Sequence, residues 1–303
     1  MNNDCLLRTA LGLNALFSLS TGIAMATFPS SAGTIIGLEG TLPIMIVGIG
    51  LVFYGAILLF LARGGMPTVL SLIATLCDFA WTVGTLLLLG IAPNLFSVTG
   101  WSIAILVASI VSFFALMQLL GIRKSFVSRN KSSDGKFHIC FSIPVAVTDN
   151  QIWSAIREIE GIHKFSPSLR SSILTVDAQK ECTLRTCVDI KGKRWIEEIQ
   201  VANERKELAI RFRADATDFP FPVTSMSGGW RVQQSQEAGQ AVVLVWWNFS
   251  LVRDWTAPLL LPLFEMGLKS QMVSVVANMV AAVDPKQSTI SSGILAQLII
   301  GGC

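Results

Sequence analysis

The chain carries almost no charge in its first 122 residues. Only five charged side chains occur there, namely Asp4, Arg8, Glu39, Arg63 and Asp78. The whole chain has 23 Lys or Arg and 20 Asp or Glu, so residues 123–303 keep 21 basic and 17 acidic side chains, a net charge of +4. A chain divided in this way folds as an apolar part followed by a water-soluble part. The small positive surplus does not favour nucleic-acid binding.

Four long apolar runs fill the first part: Leu6 to Phe28, Leu42 to Ala62, Pro67 to Ile91 and Val98 to Ile122. Each run is long enough to cross a membrane, because a helix that spans a hydrocarbon core of ~30 Å needs about 20 apolar residues. Four buried helices of a soluble domain are the alternative, but no run has the charged face that such a helix turns towards water. The sequence therefore predicts an all-α four-helix transmembrane domain over residues 1–122.

The basic residues near the ends of these runs predict the orientation. They are Arg8, Arg63, Arg123, Lys124, Arg129 and Lys131. All of them fall on one side of a four-span bundle whose two ends share that side, and cytoplasmic loops are enriched in Lys and Arg. We therefore expect a multi-pass protein of a bacterial-type inner membrane, with both ends in the cytoplasm. Residues 123–135 are predicted to be a basic linker close to the lipid headgroups.

Three polar side chains interrupt the apolar runs: Asn14, Asp78 and Gln118. An ionisable group at the middle of a membrane helix costs about 2.5–3.5 kcal/mol on insertion scales, so Asp78 is expected to face a partner or a cavity. The favoured interpretation is a hydrogen-bonded network between helices. Proton or substrate handling is the alternative.

The part after the linker changes from helical to strand periodicity. Phe137 to Val145 alternates apolar and polar residues, as a half-buried strand does, and a short helix follows from Asp149. Further strand patterns cover residues 171–177, 182–190, 194–202, 207–213, 229–234 and 241–251. Residues 258–283 then carry one apolar stripe at helical spacing. This order predicts an antiparallel sheet closed by one long amphipathic helix.

Particular stretches of this second part resemble a known superfamily. They are the opening strand, Val147 to Trp153, Ile162 to Pro167, Phe219 to Pro222 ahead of Gly229 and Trp230, and the terminal helix. Over residues 136–284 the chain resembles the START-like, or SRPBCC, superfamily, and within it the polyketide cyclase/dehydrase and lipid-transport branch. The resemblance implies an α+β helix-grip domain, in which an antiparallel sheet wraps a long C-terminal helix around an apolar cavity.

Large apolar side chains are available to contact a ligand in such a cavity. The candidate ligand-binding residues are Phe165, Trp195, Phe212, Trp230, Trp247, Phe249, Phe264, Leu268 and Met272. Ligand pockets are lined mostly by apolar and aromatic side chains, and flexible Met side chains suit adaptable contacts. An ordinary filled core is the alternative for any single one of these residues.

Few residues suggest catalysis. His163 is a weak candidate for an acid or base, and Glu197 is a further available acid. Arg211 and Arg213 alternate with apolar residues and are expected to point to solvent. The sequence shows no Ser-His-Asp arrangement, no phosphate-binding loop and no metal-ligand spacing, so we predict no metal and no cofactor. The six cysteines are expected to be free thiols.

The strand over residues 241–251 is apolar on both faces. Val242, Leu244 and Trp246 lie on the face that should be wet, and exposed apolar patches indicate interaction surfaces. We expect this face to contact the membrane domain, lipid headgroups or a second copy of the chain. Packing against a local loop is the alternative. The tail, residues 285–303, is too short to span a membrane.

The leading functional hypothesis is a membrane-anchored protein whose cytoplasmic domain binds a hydrophobic small molecule. A lipid, a quinone or a polyketide-like molecule would suit the resemblance, and membrane lipids are the other expected partner. Homo-oligomerisation remains open. The first alternative is a membrane-tethered cyclase or dehydratase that uses His163 or a buried acid. The second is a structural or regulatory membrane protein with a filled domain and no ligand.

Overall fold

The chain forms two compact units. The computed structural model describes residues 4–38, 40–64, 68–177, 182–216, 219–237 and 239–285. One unit, here called the helical unit, comprises Met1–Arg129 together with Pro258–Leu263, and the other, the sheet unit, comprises Asn130–Ala257 together with Phe264–Cys303. The division after Arg129 falls inside the predicted linker, residues 123–135. The predicted tail lies outside the described residues from position 286 onwards.

Helices account for the whole of the first unit's regular structure. They are α1 (Cys5–Thr27), α2 (Pro29–Ile36), α3 (Thr41–Ala62), α4 (Thr68–Ile91) and α5 (Val98–Ile122). The four long helices coincide with the four apolar runs, and the short α2 occupies the first predicted outer loop. In the described part of the chain, five helices are long and apolar enough to cross a membrane, the fifth being Asp254–Val283.

Glycines bring α1 and α3 into close contact. A Cβ atom built on Gly22 would lie 2.7 Å from the Gly48 carbonyl oxygen, and one built on Gly55 would lie 2.7 Å from a Leu19 side-chain carbon. Small residues at such positions let helix backbones approach each other within a membrane, where apolar burial alone does not drive association. The sequence pattern of small residues thus fixes which two helices pack most closely.

The first half of the predicted linker is helical. Arg123–Val127 continues α5 as a π-helical turn, and Phe126 and Val127 are buried. The basic linker predicted over residues 123–135 therefore begins with a buried helical turn at residues 123–127. The backbone keeps right-handed helical angles at Ile122 and Arg123, so α5 runs into this turn without a break. The Ser125 hydroxyl is buried there and donates to the Gly121 carbonyl.

A seven-stranded antiparallel sheet forms the second unit, as the sequence predicted. Its strands are β1 (Phe137–Val145), β2 (Leu169–Asp177), β3 (Cys182–Asp189), β4 (Arg194–Ala202), β5 (Glu207–Phe212), β6 (Val223–Gln234) and β7 (Ala241–Leu251). They lie in the order β1-β7-β6-β5-β4-β3-β2. Helices α6 (Asp149–Ile156) and α7 (Ile162–Phe165) follow β1, and α8 (Ala257–Val283) follows β7. This is a helix-grip architecture.

One face of the sheet carries the core of the unit. Phe137 and Ile143 of β1, like Phe249 of β7, are almost completely buried, and the Phe137 and Phe249 ring centres lie 6.0 Å apart. Helix α8 contributes Val276 and Met279 to the buried residues. The period-2 alternation read from the sequence therefore identifies the inner face of β1 correctly.

Helix α8 is less amphipathic than the sequence analysis expected. Its predicted stripe is buried, but Leu263 and Met266 on other faces are 45% and 50% exposed. The helix is therefore apolar nearly all round, and for this reason it also satisfies the length and composition of a membrane span. Composition alone does not separate a core helix of this kind from a spanning one.

The apolar outer face of β7 is partly covered by its neighbour β6. The Arg231 guanidinium lies 5.7 Å from the ring centre of Trp246, and a Cβ atom built on Gly229 would lie 2.6 Å from the same ring. Trp246 thus packs across a glycine and under an arginine, an arrangement that shields an indole locally. Contact of this face with a membrane or a second copy stays a prediction.

Candidate functional site

The hairpin of β3 and β4 places two opposite charges face to face. Asp189 accepts hydrogen bonds from the backbone nitrogens of Lys191 and Lys193 at 2.8 and 2.7 Å, which closes the connecting turn. This turn sets the register that pairs Arg185 with Glu197. Both side chains point to the inner face of the sheet, where each residue is only 4% exposed.

Arg185 and Glu197 form a fully buried ion pair. The guanidinium donates two hydrogen bonds to one carboxylate oxygen, from Nη2 at 2.6 Å and from Nε at 2.8 Å. Its Nη1 donates to the Ile159 carbonyl at 2.8 Å, and the Trp195 indole donates to the other oxygen of Glu197 at 2.7 Å. Every strong partner of the carboxylate is therefore inside the protein, as a buried charge requires.

The ion pair forms part of the wall of an internal cavity of about 110 Å³. Strands β2 to β7, the α7 region and α8 supply the lining. Its polar members are Ser166, Arg185, Glu197 and Gln271, and its further members include Ile162, Leu169, Cys187, Ile210, Phe221, Met226 and Val275. The cavity is thus mainly apolar. Its four polar residues, Ser166, Arg185, Glu197 and Gln271, are here called the polar strip.

Six of the nine predicted ligand-binding residues line this cavity: Trp195, Phe212, Trp230, Trp247, Leu268 and Met272. The other three lie in the surrounding core. Phe165 is buried and its carbonyl accepts a hydrogen bond from Asn278, while Phe249 and Phe264 pack against each other with ring centres 5.9 Å apart. Ligand contact by the six residues stays a prediction.

His163 lies away from the cavity wall. Its Nδ1 is 2.8 Å from the Ser172 hydroxyl, and that hydroxyl donates to the Glu160 carbonyl. The imidazole therefore ties the α7 turn to β2. Because an acid or base must reach the reacting group, the structure favours Glu197 over His163 as the titratable group nearest to any molecule in the cavity.

The two arginines of β5 and its following turn are also outside the cavity. Arg211 is exposed, and Arg213 donates from Nε to Glu198 at 3.1 Å across the neighbouring strand. Both observations agree with the solvent-facing orientation inferred from the alternation of residues 208–213. Arg211 and Arg213 therefore take no part in the polar strip.

The cysteines differ in state. Cys187 is a free thiol in the cavity wall, and its burial, with the Glu197 carboxylate nearby, raises its pKa to about 12. Cys5 and Cys77 are free and exposed, whereas Cys140 is disulfide-bonded. The expectation of free thiols throughout was therefore wrong for Cys140. Within the described residues, no cluster of His, Cys, Asp and Glu could hold a metal ion.

The three polar residues of the apolar runs meet in the helical unit. Asn14 Nδ2 and Gln118 Nε2 donate to the same oxygen of Asp78, at 2.7 and 2.9 Å. Tyr54 lies 2.8 Å from the second oxygen, and Thr75 donates to the Gln118 carbonyl oxygen at 2.9 Å. The network links α1, α3, α4 and α5.

Sequence reasoning missed Arg185, Gln271 and Tyr54. The sequence of β3 does not show which of its faces points inwards. Only the register of the hairpin brings Arg185 opposite Glu197. Gln271 looked like part of the polar face of a helix, yet it lines the cavity and donates to Ser168 at 2.6 Å. The sequence carried no clear signal for Arg185, because its same-face neighbours in β3 are Thr183 and Cys187 rather than a run of large apolar residues.

Residues 136–284 match the family model described as polyketide cyclase / dehydrase and lipid transport. This match confirms the resemblance read from the sequence. No curated protein sequence matches the chain. The helical residues before position 136 lie outside the matched range.

Solved structures similar to the chain cover the same half. The protein XoxI from Bacillus cereus is 20% identical, with a TM-score of 0.39, over 49% of this chain and 97% of that one. The Zhui aromatase/cyclase from Streptomyces is 16% identical, with a TM-score of 0.40, over 52% and 98%. Norcoclaurine synthase from Thalictrum flavum is 15% identical, with a TM-score of 0.38, over 49% and 86%.

Proposed function

We propose that the sheet unit binds a hydrophobic small molecule in its internal cavity and that the helical unit anchors it to a membrane. The mainly apolar lining, with aromatic rings from Trp195, Trp230 and Trp247, is the observation that carries the proposal. Burial of apolar ligand surface against such walls contributes about 25 cal/mol per Å². A lipid, a quinone or a polyketide-like molecule has the required apolar surface.

The polar strip would select the ligand by excluding polar groups that it cannot bond as well as by contacting the ligand. Ser166 and Gln271 both hydrogen-bond to Ser168, and Arg185 and Glu197 bond to each other, so the polar side chains of the lining already have partners within the protein. Affinity would therefore come from apolar contact. A polar group on the ligand is tolerated only where it can share the hydrogen bonds of Ser166 and Gln271.

The cavity must widen for any ligand beyond a single ring. Its volume is about 110 Å³, whereas drug-sized ligands occupy pockets of roughly 300–1,000 Å³. Met226 and Met272 in the lining are flexible side chains that can give way. Phe221 lines the cavity and is 39% exposed, so it connects the interior with the surface. We propose that the ligand enters by displacing Phe221.

The experiment is extraction of hydrophobic molecules from the purified full-length protein, followed by mass spectrometry. The variant Met272→Trp places a larger side chain in the cavity, and Met266→Trp is its control, because Met266 lies on the same helix and is exposed. We expect the unmodified protein and the control to carry the molecule and Met272→Trp to lose at least about 90% of it. Absence of any co-purifying molecule, or equal loading of all three proteins, contradicts the proposal.

A second candidate function is catalysis of a cyclisation or dehydration. The observation that favours it is a buried carboxylate, Glu197, in the wall of the cavity. Arg185 and Trp195 donate hydrogen bonds to its two oxygens and hold the group in place, as a general base requires. Turnover of a poly-β-ketone that disappears in Glu197→Gln and persists in His163→Ala supports this function. Turnover lost equally in both variants argues against Glu197.

For the membrane anchor we propose an orientation with both ends in the cytoplasm. The bias of Lys and Arg supports it, while the disulfide at Cys140 is more typical of an oxidising compartment. Fusions of alkaline phosphatase and of β-galactosidase after the last residue separate the two. We expect activity from β-galactosidase alone, and activity from alkaline phosphatase would overturn the orientation.

A further inference from the structure

The helical unit contains a cavity of its own, of about 290 Å³. Four helices, α1, α3, α4 and α5, contribute to its wall. Phe17, Tyr54 and Trp81 supply aromatic rings, Val47 and Val111 supply aliphatic surface, and Asp78 supplies a carboxylate. The cavity is close to the lower end of the range of small-molecule pockets, roughly 300–1,000 Å³.

The carboxylate in this wall has no cation beside it. Asp78 is only 2% exposed, and its hydrogen-bond partners are the uncharged side chains of Asn14, Gln118 and Tyr54. No Lys or Arg in the described part of the helical unit forms an ion pair with it. A buried carboxylate without a counter-charge attracts any cation that can reach it, because the interior screens the attraction poorly.

Tyr54 allows the carboxylate to change partners. The Tyr54 oxygen lies 2.8 Å from Asp78 Oδ1 and 2.9 Å from the Ala74 carbonyl oxygen. Its single hydrogen can be donated to only one of them. When a ligand takes over Oδ1, the tyrosine therefore keeps a hydrogen bond by donating to Ala74. The site can accept a new donor without leaving a buried hydroxyl unpaired.

The cavity opens on the outside of the helices rather than at their ends. Gly50 of α3 and Trp81 and Cys77 of α4 line the cavity and are themselves exposed. A Cβ atom built on Gly50 would meet nothing within 4 Å. In a membrane this rim would face the hydrocarbon, so molecules dissolved in the bilayer would reach the cavity directly.

We propose that this cavity binds an organic cation with an apolar body, such as a lipophilic amine, that enters from the bilayer. The ammonium group pairs with Asp78, and the rings of Phe17, Tyr54 and Trp81 contact the rest of the molecule and favour its positive charge. An inorganic cation is a poor match, since hard cations require several oxygen ligands and most of this wall is hydrocarbon. The site is independent of the ligand proposed for the sheet unit.

The test uses a matched pair of photoreactive probes on the full-length protein in lipid nanodiscs. One probe is a diazirine-bearing benzylamine, and the other is the corresponding benzyl alcohol, which has nearly the same shape and no charge. Cross-linked peptides are identified by mass spectrometry. We expect the amine to label the α3 and α4 segments around Gly50 and Trp81 at least about tenfold more than the alcohol, and excess unlabelled benzylamine to suppress that labelling.

Two variants and a control complete the experiment. Asp78→Asn removes the charge but keeps a side chain of the same size, and we expect it to abolish the difference between the probes. Gly50→Leu fills the cavity from a position with free space, whereas Gly84→Leu makes the same change on α4 at a glycine that also has nothing within 4 Å and does not line the cavity. Labelling should fall in Gly50→Leu and persist in Gly84→Leu.

The outcomes that overturn the proposal are distinct. Equal labelling by amine and alcohol would mean that the cavity selects apolar shape and not charge. Labelling by the amine that survives in both Asp78→Asn and Gly50→Leu would place it elsewhere on the protein. No labelling by either probe would mean that lipid chains occupy the cavity. Because Gly50→Leu does not touch the hydrogen-bonded network, it remains decisive if Asp78→Asn fails to fold.

Discussion

The helical unit and the sheet unit each bury a carboxylate in the wall of a cavity, and they neutralise it differently. Glu197 in the sheet unit has a guanidinium nitrogen 2.6 Å away, whereas Asp78 in the helical unit is surrounded by uncharged donors. A carboxylate with its own counter-ion is a fixed part of the wall. One that lacks a counter-ion retains an attraction for a ligand that can supply one.

The two cavities also differ in volume and in what a ligand must displace in order to enter them. The cavity of the sheet unit measures about 110 Å³ and is lined by side chains from strands β2 to β7 and from helices α7 and α8. The cavity of the helical unit measures about 290 Å³ and is open at Gly50. A ligand in the cavity of the sheet unit must displace protein atoms. A ligand in the cavity of the helical unit displaces only the molecules that already fill that cavity.

The largest effect is expected for Arg185→Met. The substitution leaves Glu197 buried without a counter-charge, which lowers the free energy of unfolding by about 3–5 kcal/mol. Urea unfolding of the full-length protein in detergent, followed by tryptophan fluorescence, measures the change. The double variant Arg185→Met/Glu197→Met removes both charges and should recover most of the loss. A loss below about 1 kcal/mol in the single variant would show that Glu197 is not sealed from water.

The rate of thiol modification is expected to differ between the two units almost as strongly. Burial raises the pKa of Cys187 to about 12, so at pH 8 its thiolate fraction is about 10³-fold below that of an ordinary thiol. N-ethylmaleimide should therefore modify Cys187 about 10³-fold more slowly than the exposed Cys5, and the rates should converge in urea. Modification of Cys187 within about tenfold of Cys5 would mean that the cavity opens readily.

The same pKa shift has a consequence for stability. Folding favours the protonated thiol of Cys187, so its contribution to stability is complete below the ordinary value of 9.0 and is lost as the pH rises towards about 12. Over that window the free energy of unfolding should fall by up to about 1.4 kcal/mol per pH unit. Cys187→Ala should lack this part of the pH dependence, and an unchanged profile would contradict it.

A smaller effect is expected from adding one methyl group to a glycine in each unit. In β6, a Cβ atom on Gly228 would lie 2.5 Å from the Trp246 carbonyl oxygen and 3.1 Å from the Trp247 ring. Gly228→Ala should therefore cost about 1–3 kcal/mol. Gly50→Ala in the helical unit meets no atom and should not destabilise the protein. Equal thermal unfolding midpoints for the two variants would show that Gly228 is not packed more tightly than Gly50.

The smallest effect on stability is expected for Asp78→Asn. The new amide nitrogen can donate to Tyr54, which then donates to the Ala74 carbonyl, and the amide oxygen can still accept from Asn14 and Gln118. Because no buried polar atom is left unpaired and no counter-ion is orphaned, the free energy of unfolding should change by less than about 1 kcal/mol. A loss of several kcal/mol, measured by thermal unfolding in detergent, would show that the charge itself stabilises the bundle.

Most of the fold was predictable because it depends on periodicity. Four apolar runs became the four long helices, and the alternation of Phe137 to Val145 became a strand with one buried face. The helix over residues 258–283 was predicted from its apolar stripe. These patterns depend on neighbours three, four or two residues apart, so they are visible in the sequence.

The candidate site was predicted in part. The aromatic residues of the cavity wall follow from their positions on inner faces of strands, and six of the nine named residues lie there. The ion pair does not follow from strand faces alone, since it depends on where the turn around Asp189 begins. A turn centred on Gly192 would have paired Glu197 with Cys187, and the observed register pairs it with Arg185.

The sequence by itself determined that this protein has an apolar helical part and a helix-grip part, because each is specified by local periodicity and composition. Tertiary structure decided which charges meet. Asp78, Asn14 and Gln118 stand on three different helices, and Tyr54 joins them from a fourth. Electrostatic compensation depends on distances of a few ångströms between residues far apart in the chain. Only the folded structure therefore shows that the Glu197 carboxylate has a counter-charge beside it and that the Asp78 carboxylate has uncharged partners.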